Sequence, residues 1–119
     1  MDDKQLTSWT TYQAAWAAIS DEERRSMLEA SIVPNVVYTD PSSISHGYDE
    51  LASKMQATQE SFPGARFRND KFQAHHRQAV SRWTMLDGSG QPIYLGVSYA
   101  RFANDARLES MIGFFEPVS

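Results

Sequence analysis

The stretch Val36-Val37-Tyr38-Thr39-Asp40-Pro41-Ser42-Ser43-Ile44-Ser45-His46-Gly47 decides how the chain is read. A β-branched run carries a tyrosine and predicts a short strand over 35–39 that ends on Asp40. Pro41 stops the run, because its ring fixes φ and leaves no N–H for a ladder. A short polar loop follows, and Gly47 opens a helix-like pattern. A single carboxylate, Asp40, therefore sits where a strand ends, beside aromatic residues. It has two readings. In one it is a chemical base; in the other its oxygens accept backbone N–H bonds in the turn before a helix.

On the N-terminal side, Leu6, Trp9, Tyr12, Trp16 and Ile19 recur at helical spacing and predict an amphipathic helix with an aromatic face. Those aromatics pack in the core, or Tyr12 and Trp16 line a cavity and offer an O–H or N–H to a ligand. Ser20-Asp21-Glu22-Glu23 fits a capping box and predicts a second helix through about 29–30. Arg24 and Arg25 read as solvated surface and helix pairing. On the C-terminal side, Tyr48, Leu51, Met55, Thr58 and Phe62 mark one face of a third helix, which Pro63-Gly64 terminates.

The second half alternates as strands do. Alternation is weak over 66–77, better over 78–86, and resumes over 92–102 and 107–115, with turns at Asp87-Gly88-Ser89-Gly90 and Asn104-Asp105. Three helices followed by hairpin-linked antiparallel strands are the α+β pattern, in one domain over 1–119. In the strand 93–102, Ile93, Leu95, Val97 and Tyr99 face one way and Tyr94, Gly96, Ser98, Ala100 and Phe102 the other. Both faces carry apolar residues. One packs on the helices; the other predicts a homodimer formed through the sheet.

Composition bounds the rest. The chain has 119 residues, 41% hydrophobic and 22% charged, which suits one ordinary globular domain. A net charge of −4 argues against nucleic acid or an anionic membrane as partner. The absence of cysteine excludes disulfides, thiolate metal sites and cysteine nucleophiles. No run approaches the ~20 apolar residues of a membrane span, and the polar start Met1-Asp2-Asp3-Lys4 is unlike a signal peptide, so the expectation is a cytoplasmic protein. There is no phosphate loop, dinucleotide fingerprint or nucleophilic-serine motif.

His75 and His76 are the remaining proton-transfer candidates. As neighbours on a strand they point to opposite faces, so at most one enters a pocket. Each has a plain alternative as a hydrogen-bonded strand residue. Their rings cannot share one ion without a bulge, and no other ligand cluster appears, so no metal site is expected. His46 reads as a loop residue near the helix start.

Taken in order, the aromatic first helix, Tyr38-Thr39-Asp40-Pro41, His46-Gly47, Pro63-Gly64, the Gly-rich hairpin and Gly113-Phe114-Phe115 resemble the nuclear transport factor 2-like superfamily, and within it the SnoaL-like branch named for a polyketide cyclase. The resemblance spans nearly the whole chain. It implies a cone-shaped, curved antiparallel sheet packed on three N-terminal helices (a cystatin-like fold) and closing on an apolar pocket. It also places Asp40 on the general-base aspartate of ketosteroid isomerase. That enzyme's two oxyanion donors, a tyrosine and a protonated aspartate, fall on Trp16 and Ser98, so the donor set is altered. The epoxide-hydrolase chemistry of another member is excluded, because its carboxylates fall near Thr84 and Gly113. Scytalone dehydratase and some cyclases use a histidine, which makes the inward one of His75 and His76 a candidate.

The resulting expectation is a pocket for a hydrophobic, cyclic carbonyl compound, with cofactor-free isomerisation, cyclisation or dehydration. Asp40 is the base, its pKa raised by desolvation. Trp16, Tyr38 or Ser98 orients the substrate oxygen, and His75 or His76 shuttles a proton. Tyr12, Met55, Phe62, Trp83 and Phe115 form the walls. The rival is a binding or dimerisation module without chemistry.

Overall fold

A computed structural model describes residues 3–118. Three helices precede and interrupt the strands: α1 (Asp3–Ala14), α2 (Asp21–Ser31), β1 (Ile32–Asp40), β2 (Ser43–His46), α3 (Gly47–Ser61), β3 (Arg66–His75), β4 (Gln78–Leu86), β5 (Pro92–Phe102) and β6 (Leu108–Pro117). The six strands form one sheet in the order β2-β1-β6-β5-β4-β3. This is the α+β architecture expected from the sequence, with one refinement to the sheet. Neighbouring strands are antiparallel except β1 and β6, which run parallel. The meander β3–β6 returns its last strand beside β1 in the same direction, a connection long enough for parallel pairing. Register shifts in β1–β6, β3–β4, β4–β5 and β5–β6 mark bulges or irregularities, which bend strands and raise local twist.

Two local differences from the sequence reading shape the site. The first helix stops at Ala14, before Trp16. Trp16 N–H and Ala17 N–H bond three residues back, to Gln13 O and Ala14 O, so the chain tightens into a turn. Arg24 holds that turn. It is buried, not solvated, and donates to Ala15 O and Ala17 O, both at 2.9 Å. The loop after Asp40 is likewise more ordered than expected. It folds back as β2, with Tyr38 opposite Ser45 and Thr39 opposite Ile44. The expected capping serine is present: Ser20 Oγ accepts from Glu23 N–H at 3.1 Å.

The inner face of the sheet meets the helices in a core of Trp9, Leu28, Ile32, Leu51, Met55, Phe102, Leu108 and Met111, each at most 2% exposed. A smaller cluster of Ala65, Trp83 and Met85, flanked by Phe67, Tyr94 and Phe115, lies beyond it. Residues from both clusters border one hollow. Among the described residues, no helix is long and apolar enough to cross a membrane.

Candidate functional site

The hollow has a volume of about 170 Å³. Its wall is a chain of touching rings. Tyr38 meets Trp16 at 5.6 Å between centroids, Trp16 meets Phe67 at 5.6 Å, and Phe67 meets Trp83 edge-on at 5.1 Å. Trp83 then meets Phe115 at 6.2 Å, Phe115 meets Tyr94 at 5.4 Å, and Tyr94 meets Phe62 at 6.0 Å. Tilted and edge-to-face pairs are favoured by ring quadrupoles, so the collar holds its own shape. Trp16 is placed through its backbone, whose carbonyl accepts from Gln59 Nε2 at 2.8 Å.

Trp83 has a specific seat. It lies opposite Gly96, where the missing side chain lets the indole cross β5. Its Nε1–H then reaches Ser98 Oγ at 3.0 Å. Gly96 and Ser98 share the inner face of β5 because strand residues two apart point the same way.

The polar side of the hollow comes from β1, its turn and α3. Tyr38 and Asp40, two apart on β1, share a face, and Tyr38 Oη donates to Asp40 Oδ2 at 2.6 Å. Asp40 Oδ1 accepts from Ser42 N–H at 2.8 Å, Ser42 Oγ at 2.8 Å and Ser43 N–H at 3.0 Å. Lys54 of α3 completes the set, with Nζ 3.1 Å from Asp40 Oδ2 and 2.6 Å from Ser42 Oγ. The Asp40 side chain is only 3% exposed. The turn reading of Asp40 is met by Oδ1, while Oδ2 joins a phenol and an ammonium at the hollow.

The electrostatics correct one expectation. Burial alone pushes the Asp40 carboxyl up, but hydrogen bonds from Tyr38, Ser42 and Lys54 outweigh it and hold the group below the ordinary carboxylate range. Asp40 is an ion-paired anion, not a carboxyl raised towards neutrality. The two phenols move the other way. Burial pushes Tyr12 up, opposed by its hydrogen bond with Trp16. Burial also pushes Tyr38 up, reinforced by Tyr12 and by the Asp40 carboxylate. Both stay protonated; Tyr38 donates to Asp40, and the Tyr12 oxygen accepts from the Trp16 N–H.

Of the residues singled out from sequence, Tyr12, Trp16, Tyr38, Asp40, Phe62, Trp83, Ser98 and Phe115 all border the hollow. Met55 does not. It is fully buried in the core with Leu51. The reason is angular: Lys54, Thr58 and Phe62, at i, i+4 and i+8, form the stripe of α3 that faces the hollow, and Met55 lies about 100° further round. His75 and His76 do not enter it either, which corrects their assignment as proton shuttles. Both are exposed at the β3–β4 hairpin. His76 adopts φ 56°, so the pair leaves strand geometry and the two Nδ1 atoms approach to 2.9 Å. Among the described residues no three His, Cys, Asp or Glu side chains are grouped to hold a metal.

Sequence reasoning missed Trp9, Gln13, Ser42, Lys54, Thr58, Phe67, Met85 and Tyr94 as wall residues. Gln13 was legible in principle, since it follows Trp9 by one helical turn. Lys54 was not, because a lysine on a helix is ordinarily solvated.

The comparisons agree with this fold. Residues 12–111 match the SnoaL-like domain. A protein from Agrobacterium tumefaciens str. C58 described as a candidate isomerase of the SnoaL-like family superposes with a TM-score of 0.87 at 25% identity, covering 97% of this chain and 99% of that one. A candidate SnoaL-like polyketide cyclase from Jannaschia sp. CCS1 gives 0.79 at 13% identity, covering 97% and 87%. A protein of unknown function with a cystatin-like fold from Methylobium petroleophilum PM1 gives 0.78 at 16% identity, covering 100% and 80%. No curated protein matches the sequence. With 12–111 matched and the helix-filled curved sheet observed, the chain belongs to the SnoaL-like domain family.

Proposed function

We propose that the hollow binds a hydrophobic, ring-bearing carbonyl compound and that Asp40 Oδ2 removes a proton next to that carbonyl. The observation that carries this reading is the meeting of a carboxylate, a phenol and an ammonium at one edge of an aromatic hollow. The electron pair of the broken C–H bond moves to the carbonyl oxygen, where Ser98 or a phenol donates a hydrogen bond. Return of the proton to another carbon is an isomerisation; attack by the enolate carbon is a cyclisation; loss of a neighbouring hydroxyl, which takes the proton from Asp40 and leaves as water, is a dehydration. The chain's own residues suffice for that first step. The descriptions of the Agrobacterium and Jannaschia proteins as isomerase and cyclase candidates support the class.

A second reading, binding without turnover, draws support from Asp40 Oδ1, which the turn fully occupies. Both readings require a ligand in the hollow. Thermal denaturation with single-ring ketones tests that shared requirement. At ten times its Kd a ligand adds about 1.4 kcal/mol, which raises Tm by roughly 5 °C in a domain of this size. A panel that leaves Tm unmoved contradicts both readings.

We further propose that the chain pairs with a second copy through the outer face of the sheet. Leu95, Ile112 and Phe114 there are 47%, 41% and 61% exposed, on adjacent strands β5 and β6. Sedimentation at micromolar concentration should give a dimer, and Phe114→Lys a monomer. A wild-type monomer overturns the pairing.

A further inference from the structure

The wall of the hollow restricts its ligand further than its greasiness does. Three properties are set by named residues. The first is size. A volume of about 170 Å³ is close to that of an apolar cavity of about 150 Å³ known to hold benzene. One ring with a small substituent fills that volume; a second fused ring would have to extend through the open side. The second is charge. Asp40 and Lys54 are the ionised side chains of the wall, and they neutralise each other at 3.1 Å. A charged ligand would enter an aromatic hollow with no counter-charge left to meet it.

The third is hydrogen bonding. Most polar wall groups are spent within the protein. Tyr38 O–H goes to Asp40, Thr58 O–H goes to Lys54 O, and Trp83 N–H goes to Ser98. Ser42 Oγ donates to Asp40 and accepts from Lys54. Ser98 and Tyr12 each accept one bond, from Trp83 and Trp16, and keep an O–H with no acceptor among the described residues; two further wall residues carry N–H donors without partners. Gln13 lines the hollow at 8% exposure; its side-chain amide makes no hydrogen bond among the described residues and, unlike Trp9 Nε1, is not sealed off. Trp9 is 2% exposed, and its Nε1–H is buried without a partner. The two lie four residues apart on α1, on one helical face. The Trp9 N–H is sealed from the hollow, so the Gln13 amide, with two N–H donors and one acceptor, is the group of this pair that a ligand's acceptor atom can meet. A side-chain amide at the wall of a hollow that makes no bond within the protein is available to a ligand there.

We propose that the hollow selects a neutral, single-ring compound bearing a carbonyl oxygen, and that Gln13 is the specificity residue that donates its side-chain N–H to that oxygen. This rests on the reading that the hollow holds a ring compound and adds which ring and which contact.

The test uses four probes on the intact protein by titration calorimetry. Acetophenone has one ring and a carbonyl; α-methylstyrene replaces that C=O with C=CH2 at the same shape. Benzoate adds a charge, and 2-acetonaphthone adds a fused ring. Acetophenone should bind, with benzoate and 2-acetonaphthone at least about tenfold weaker. Gln13→Leu should weaken acetophenone about tenfold and leave α-methylstyrene unchanged or tighter. On wild-type protein, the Gln13 side-chain amide resonances should shift with acetophenone and not with α-methylstyrene, a readout that needs no variant to fold. An unchanged ratio of the two affinities in Gln13→Leu, or amide resonances indifferent to the carbonyl, overturns the role of Gln13. Tight binding of 2-acetonaphthone or benzoate overturns the size or charge limit. If neither single-ring probe binds, the hollow is not a ligand site and the broader reading falls with this one.

Discussion

Gly96→Ala should lower the melting temperature by about 10 °C and abolish ring binding. A methyl group at Gly96 would overlap three carbon atoms of the Trp83 indole. The indole cannot simply tilt away. It is held by Nε1–H to Ser98 Oγ, by the edge contact with Phe67 and by Phe115. Forced overpacking costs about 1–3 kcal/mol, and the lost hydrogen bond about 1 more. For a chain of this length a loss of about 3 kcal/mol corresponds to that drop in Tm. The displaced indole would also enter the hollow it now walls. Gly113→Ala is the matched control. Its new methyl would meet Ser98 Oγ at 3.5 Å and Asp40 Cβ at 3.8 Å, ordinary contacts. Thermal denaturation of both variants decides the point: equal losses would contradict the seat assigned to Trp83.

The second large effect belongs to Asp40→Asn. The change keeps the shape of the turn, since Asn can still accept from Ser42 and Ser43, but removes the charge that Lys54 pairs. Breaking a mostly buried pair this way should cost about 1–3 kcal/mol at neutral pH. The sign of its pH dependence follows from the direction of the shift. The folded pKa of Asp40 lies below its ordinary value of 3.8. The stabilisation is therefore complete above the unfolded pKa and fades as pH falls through the folded one. The stability gap between wild type and variant should be full at pH 7 and close at strongly acid pH. Proton transfer should fall by about a hundredfold or more.

The sequence made the architecture plain where local chemistry and tertiary structure agree. Ser20, Pro41, Gly47 and Pro63-Gly64 punctuate the chain where the helices and strands change. Alternation in β5 sorted Ser98, Ala100 and Phe102 inward and Leu95 outward, as observed. It failed where tertiary contacts override local pattern. The spacing of Trp16 fits a helix, yet Arg24 captures the carbonyls at 15 and 17 and the helix stops short. The polar run 42–46 lacks strand residues apart from Ile44, yet pairing with β1 makes it β2. Met55 against Lys54 is a matter of one helical step, finer than an apolar pattern resolves. His75 and His76 turn on a positive φ at position 76 that no residue type there advertises. The Asp40 pKa went the other way because burial was legible in the aromatic surroundings, whereas the hydrogen bonds from Tyr38, Ser42 and Lys54 that outweigh it depend on how the side chains meet.

Catalysed hydrogen exchange tests the role of Asp40 most directly. Acetophenone in D2O would be followed by the loss of its methyl proton NMR signal with wild type and with Asp40→Asn, the variant first shown to be folded and still to bind. The account predicts exchange faster than buffer with wild type, level from neutral pH down towards the ordinary carboxylate range, and no faster than buffer with the variant. A variant as fast as wild type, or a wild type that binds acetophenone and exchanges nothing, would contradict Asp40 as the base.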